Sequence, residues 1–111
     1  MNEEIKVEIG SENVFRDLGL PNPEARMLKA ELMLKIGTMI KDKGLSQKDA
    51  AKLLGITQPN ASHLMRGHLD IFSVEKLLGF FAKLGFDVDI FIKQIVNKSN
   101  NGRIRVIEIK Y

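Results

Sequence analysis

Apolar residues recur at every third or fourth position through the middle of the chain and at every second position near its ends, so the pattern predicts helices inside and strands outside. From Pro23 or Glu24 to Lys43, Leu28, Leu32, Ile36 and Ile40 lie four apart, with Met39 beside them and charged residues between. That spacing predicts an amphipathic helix of about five turns. Gly37 sits inside it at a cost of about 1 kcal/mol relative to Ala and is expected to admit a neighbouring helix; Gly44 ends it. The next stretch, Leu45 to Gly67, reads as two short helices and a tight turn. Ser46 caps the first, with Asp49 three residues on completing a capping box. Ala50, Ala51, Leu53 and Leu54 give it an apolar face, and Gly55 makes the turn. Thr57 starts the second helix, and Pro59 falls in its first turn, where a missing N–H costs little. Ala61 and Leu64 point back to the first helix and Gly67 closes the second. HLDIF reads as a loop, after which Ser73 caps a helix carrying Val74, Leu77, Leu78, Phe81 and Leu84, ended by Gly85. Phe80 lies beside that stripe and is expected to turn part of it towards a second subunit.

At the ends the period changes. Ile5, Val7 and Ile9 alternate with Lys6 and Glu8, which reads equally as a short strand or as a fraying terminus. Ser11 to Leu20 carries Val14, Phe15 and Leu18 at helical spacing, predicting a turn or two of helix before Gly19 and Pro21. Phe86, Val88, Ile90 and Ile92 alternate as in a half-buried strand. NKSNNG, at 97–102, is a turn signal. RIRVIEIKY, at 103–111, is strand-like again, with a change of phase at Val106 to Ile107 that suggests a bulge or a strand apolar on both faces. An isolated two-stranded hairpin is marginal in water, so a partner is expected: the N-terminal strand, a second subunit or another protein. The expected organisation is an N-terminal arm at 1–22, a helical domain at 23–85, and a C-terminal strand or hairpin at 86–111 that serves as a dimer or partner element.

Composition narrows the function. A chain of 111 residues, 44% hydrophobic, supports one core with short appendages. Its apolar runs fall well short of the roughly 20 residues of a membrane span, and the acidic start MNEEIKVEIG has no apolar signal region, so a cytoplasmic protein without membrane association is expected. The absence of Cys removes disulfides and thiolate metal sites, and two His are a poor metal set, so neither metal nor cofactor is expected. No Ser, Cys or further carboxylate is placed to complete a catalytic set with His63 or His68 and Asp70, so no catalytic residue is assigned and an enzyme is not expected. The excess of 17 Lys and Arg over 14 Asp and Glu, a net charge of +3, permits nucleic-acid binding without requiring it.

A helix that buries Ala61 and Leu64 presents its other side to solvent, and its N-terminal end is the one that enters a major groove. Thr57, Gln58, Pro59, Asn60, Ser62 and His63 are therefore the candidate base-contacting residues. The amide of Gln58 or Asn60 matches the donor and acceptor of adenine, whereas Pro59 mainly shapes the entry. Gln47 and Lys48, at the start of the preceding helix, and Arg66 and His68, near the end of the second, are the candidate phosphate contacts. Plainer roles stand beside these. Gln47, Gln58 and Asn60 also read as ordinary solvated residues, Ser46 and Thr57 as caps, and Arg66 as a complement to a helix C-terminus.

The stretch LSQKDAAKLLGITQPNASHLMRG resembles the Xre/Cro-type helix-turn-helix of phage repressors, in which a Gln opens the first helix, Gly forms the turn and Gly closes the recognition helix. NVFRDLGLPNPEARMLKAELMLKI before it and FSVEKLLGFFAKLGFDVDIFIK after it are similar to a small-repressor group related to HigA-type antitoxins, and the likeness covers residues 13–94. It implies a mainly α, lambda-repressor-like helix-turn-helix bundle of about five helices with short terminal β-strands. It also implies a homodimer that binds a double-stranded DNA operator of two half-sites and represses its own operon; in the antitoxin branch the further partner is a RelE/HigB-like toxin. Two alternatives remain: a stand-alone phage-type regulator without a toxin, and a protein inhibitor that neutralises a toxin through the terminal strands or first helix. Met65 departs from the pattern, where Glu is common, and Pro59 removes a polar side chain, which shifts readout to Gln58, Asn60, Ser62 and His63.

Overall fold

The computed structural model describes residues 5–9, 18–19, 22–96 and 102–110. In chain order the elements are β1 (Ile5–Ile9), α1 (Pro23–Asp42), α2 (Gln47–Leu54), α3 (Gln58–Met65), a 3-10 turn (Leu69–Ile71), α4 (Val74–Lys83) and β2 (Val106–Lys110). The fold is mainly helical with short terminal strands, as the pattern predicts. Residues 29–88 form one compact unit, and residues 1–28 with 89–111 form another. Of the helical turn expected over Ser11 to Leu20, only Leu18 and Gly19 are described, and the rest lies outside the described residues.

In the helical unit the heptad-like spacing does what it should, because side chains three and four apart share a face. α1 buries Leu32, Met33, Ile36, Met39 and Ile40, α2 buries Ala50, Ala51 and Leu54, and α3 buries Ala61 and Leu64. Each buried Leu, Ile or Met side chain among these contributes roughly 1.5–3 kcal/mol of transfer free energy, and each Ala less. Three expectations need correcting. Leu53 does not join the α2 face but is 41% exposed. Phe80 does not face outward: it is fully buried, with its ring edge-on to Phe72 at 5.7 Å between centroids. Its neighbours Leu77, Phe81 and Leu84 are buried too, so the α4 stripe runs 77, 80, 81, 84, rotated from the one that starts at Val74; both satisfy the i, i+3, i+4, i+7 rule. HLDIF is not a plain loop but a 3-10 turn followed by the buried Phe72, and Lys29 Nζ donates to the Leu69 carbonyl at 3.3 Å. As for Gly37, a Cβ built there meets only Met65 Sδ, at 4.0 Å, an ordinary contact, so the approach of α3 does not require glycine.

β1 and β2 pair antiparallel, from Ile5 opposite Lys110 to Ile9 opposite Val106. The N-terminal segment is thus a strand, and it is the partner of the C-terminal one. The register runs without a bulge, and Ile107 and Ile109 are exposed while Val106 and Glu108 are half-buried. The expected strand at 86–93, and with it the C-terminal hairpin, is not formed. Residues 86–96 are irregular and exposed, with Ile92 at 94%. Alternation yields a strand only where a neighbour pairs with its N–H and C=O groups, and among the described residues no strand pairs with this segment.

Candidate nucleic-acid interface

Four local devices shape the helix pair. Ser46 Oγ accepts the Asp49 N–H at 3.1 Å and so caps α2. At the other end of α2, Gly55 adopts φ 71°, ψ 35°, which lets its N–H reach the Lys52 carbonyl at 3.3 Å and the Ile56 N–H reach that of Ala51 at 3.0 Å. Lys83 Nζ, from the last turn of α4, donates to the Leu54 carbonyl at 2.9 Å and satisfies another exposed end of α2. Thr57 Oγ1 accepts the Asn60 N–H at 3.2 Å and caps α3, with Gln58 and Pro59 in its first turn.

α3 is anchored through Ala61 and Leu64, each 1% exposed. Thr57, Gln58, Pro59 and Arg66 are exposed and Asn60, Ser62 and His63 are half-buried; Gln47, Lys48 and His68 are exposed. The residues predicted to meet bases therefore share the accessible side and N-terminal end of α3, and those predicted to meet phosphate lie at the start of α2 and the end of α3. Met65 is half-buried and directs its sulfur towards Gly37 of α1, so an apolar contact stands where a polar link to the turn is common.

The structure also brings together what the sequence keeps apart. Thr57 and Asn60 line a groove with Gly55, Ile56, Ile71, Phe72, Ser73 and Lys76. Ser73 Oγ caps α4 by accepting the Lys76 N–H at 3.1 Å, so the N-terminal ends of α3 and α4 border one groove, beside the exposed Lys76. Backbone N–H groups, two positive dipole ends and an ammonium suit an anionic group such as a phosphate. Ser73 is legible in the sequence as a cap, but nothing there says that it faces Thr57. His63 and His68, assigned separately to bases and to phosphate, stand with Nδ1 2.8 Å from Nδ1. Among the described residues no three His, Asp or Glu converge as a metal site, and no helix is long and apolar enough to cross a membrane.

These features meet a known pattern. A profile of the helix-turn-helix domain family matches residues 14–93, a span that holds α1 to α4. A solved structure described as an XRE family transcriptional regulator is similar, with 37% identity and a TM-score of 0.74, over 78% of this chain and 97% of that one. A search of curated proteins found no match. The α2–turn–α3 pair with its capped, half-exposed second helix, the family profile and the structural likeness agree: the chain belongs to the helix-turn-helix domain family, as an XRE-type transcriptional regulator.

Proposed function

We propose that the protein is a homodimeric cytoplasmic repressor that places α3 of each subunit in successive major grooves of a two-half-site operator, about 34 Å apart. The observation that carries this reading is the division of α3, which buries Ala61 and Leu64 and leaves Gln58, Asn60, Ser62 and His63 with accessible surface. Gln58 and Asn60 supply the bidentate amides that read adenine, with Ser62 and His63 at neighbouring positions and Thr57 and Pro59 fixing the entry of the helix. Gln47, Lys48, Arg66 and His68 hold phosphates and set the register. Ser73 and Lys76 join that set, because their groove is shared with Thr57 and Asn60.

Gln58→Ala should cost about 1–3 kcal/mol on the operator and relax preference at one or two base pairs; Lys48→Ala should weaken all DNA alike and lower the salt slope by about 1. Fluorescence anisotropy with operator and random duplexes at several salt concentrations separates the two. Equal effects of both substitutions on both duplexes would overturn the assignment.

A second role, as an antitoxin that also sequesters a RelE/HigB-like toxin, is favoured by the β1–β2 pair. Its Ile107 and Ile109 are exposed, and a two-stranded sheet invites strand addition by a partner. Removing residues 97–111 should abolish capture of a toxin encoded beside this gene while sparing operator binding; unchanged toxin affinity would overturn the assignment of toxin capture to the strand pair, and no toxin binding by the full chain would leave the stand-alone regulator.

A further inference from the structure

The four described α-helices close in the same way. The N–H of the residue after the final glycine turns back to the carbonyl five positions earlier: Leu45 to Ile40 at 3.2 Å after α1, Ile56 to Ala51 at 3.0 Å after α2, and Phe86 to Phe81 at 2.9 Å after α4. This closure folds two side chains towards one another, and they are commonly apolar, as all three of these pairs are. α3 ends with the same closure, Gly67 N–H on the Leu64 carbonyl at 3.2 Å and His68 N–H on the His63 carbonyl at 3.0 Å. Here the two residues so placed are both histidines. Their ring centroids are 4.8 Å apart with planes inclined by 34°, and the two Nδ1 atoms are 2.8 Å apart.

Spaced five apart in a sequence, two histidines say little. Held by this closure, they are a preorganised pair with converging nitrogens, and neither is buried: His63 is half-exposed and His68 exposed. When both rings are neutral, one Nδ1 carries the hydrogen and the other accepts it. A cation in that place would face two lone pairs. Tetrahedral zinc with Zn–N bonds of about 2.0–2.1 Å holds its ligand nitrogens about 3.3 Å apart, a small opening from 2.8 Å that two side chains on the surface absorb by torsion. The exchange balances without loss of a proton: the donor ring moves its hydrogen from Nδ1 to Nε2 through solvent, and both rings remain neutral.

We propose that His63 and His68 form a two-histidine chelate for a divalent transition cation of the zinc, nickel or copper class, which imidazole nitrogens favour. Both ligands are Nδ1 atoms, and water completes the coordination, since no third His, Asp or Glu joins them among the described residues. Such a cation would clamp the last turn of α3 to the 3-10 turn that follows.

The test is a titration of the full chain with ZnCl2 at about pH 7.5, above the ordinary imidazole range, read by calorimetry and by long-range 1H–15N spectra of the imidazoles. Saturable binding of one cation is expected, with both Nδ1 resonances shifting and both rings becoming Nε2–H tautomers. His63→Ala and His68→Gln should each weaken binding at least about tenfold, because a lone imidazole loses the chelate, and the double variant should bind no better than either alone. Circular dichroism of each variant checks that the helices are retained. Wild-type affinity in either single variant, equal binding by the wild type and the double variant, or shifts confined to Nε2 would each overturn the proposal.

Discussion

The helical unit and the strand pair of this protein are stabilised by different things. All fifteen buried apolar residues among those whose burial is described lie within residues 29–88. There, α2, α3 and α4 are each specified by signals close to their own ends, a capping hydroxyl at Ser46, Thr57 or Ser73, an apolar stripe and a closing glycine, and α1 shares the stripe and the closing glycine. β2 has no such enclosure. Ile5 pairs with Lys110 across almost the entire chain, and none of the β2 side chains is fully buried. Contacts near in sequence need little loop closure, whereas a pairing this distant must offset a larger entropy. A unit built from local signals is thus both more readable and more firmly held.

Hydrogen exchange should display that contrast most strongly. Amides of Ile36, Leu54 and Leu77 should exchange on the order of a thousandfold more slowly than those of residues 106–110, because a lone two-stranded pair opens at little cost. Comparable protection in the two places would erase the distinction. Within the helical unit, Phe80→Ala should lower stability by about 3–5 kcal/mol in urea denaturation, the cost of emptying a fully buried aromatic site. Ile107→Ala, at a position 43% exposed, should stay within about 0.5 kcal/mol. A loss of about 1–2 kcal/mol, between these two, is expected for Gly55→Ala, whose left-handed φ of 71° penalises any Cβ. Thr57→Ala should cost about 1 kcal/mol through the lost α3 cap. Gly37→Ala should have the opposite sign, stabilising by about 0.5–1 kcal/mol, since a Cβ finds only Met65 Sδ at 4.0 Å; destabilisation there would mean that α1 and α3 are packed more tightly than this distance implies.

The same division decides what could be read from the sequence. Helix bounds, caps and turn glycines were legible because each depends on neighbours a few residues away; α1 starts at Pro23 and Ser46, Thr57 and Ser73 all cap as expected. The face of α4 was misjudged because Leu78 and Phe80 both satisfy a helical stripe, and only the aromatic neighbour Phe72 selects Phe80 for the interior. Residues 86–93 carry a strand's alternation without a strand's neighbour, so periodicity misled there. For the interface, the exposure of Gln58 and Lys48 followed from α3 and α2 periodicity. The groove uniting Thr57 with Ser73 and Lys76, and the meeting of His63 with His68, depend on how loops close, which periodicity does not encode.

The clasp between Lys83 and the Leu54 carbonyl makes two distant positions interdependent. A Cβ on Gly55 would lie 3.0 Å from Lys83 Nζ, so part of the penalty of Gly55→Ala is the displacement of that ammonium, and the rest is backbone torsion. In a Lys83→Ala background only the torsional part remains, and the two losses together should fall short of their sum. The helix-turn-helix corner is therefore guarded twice, and once the lysine is gone the glycine is held in place by its torsion alone.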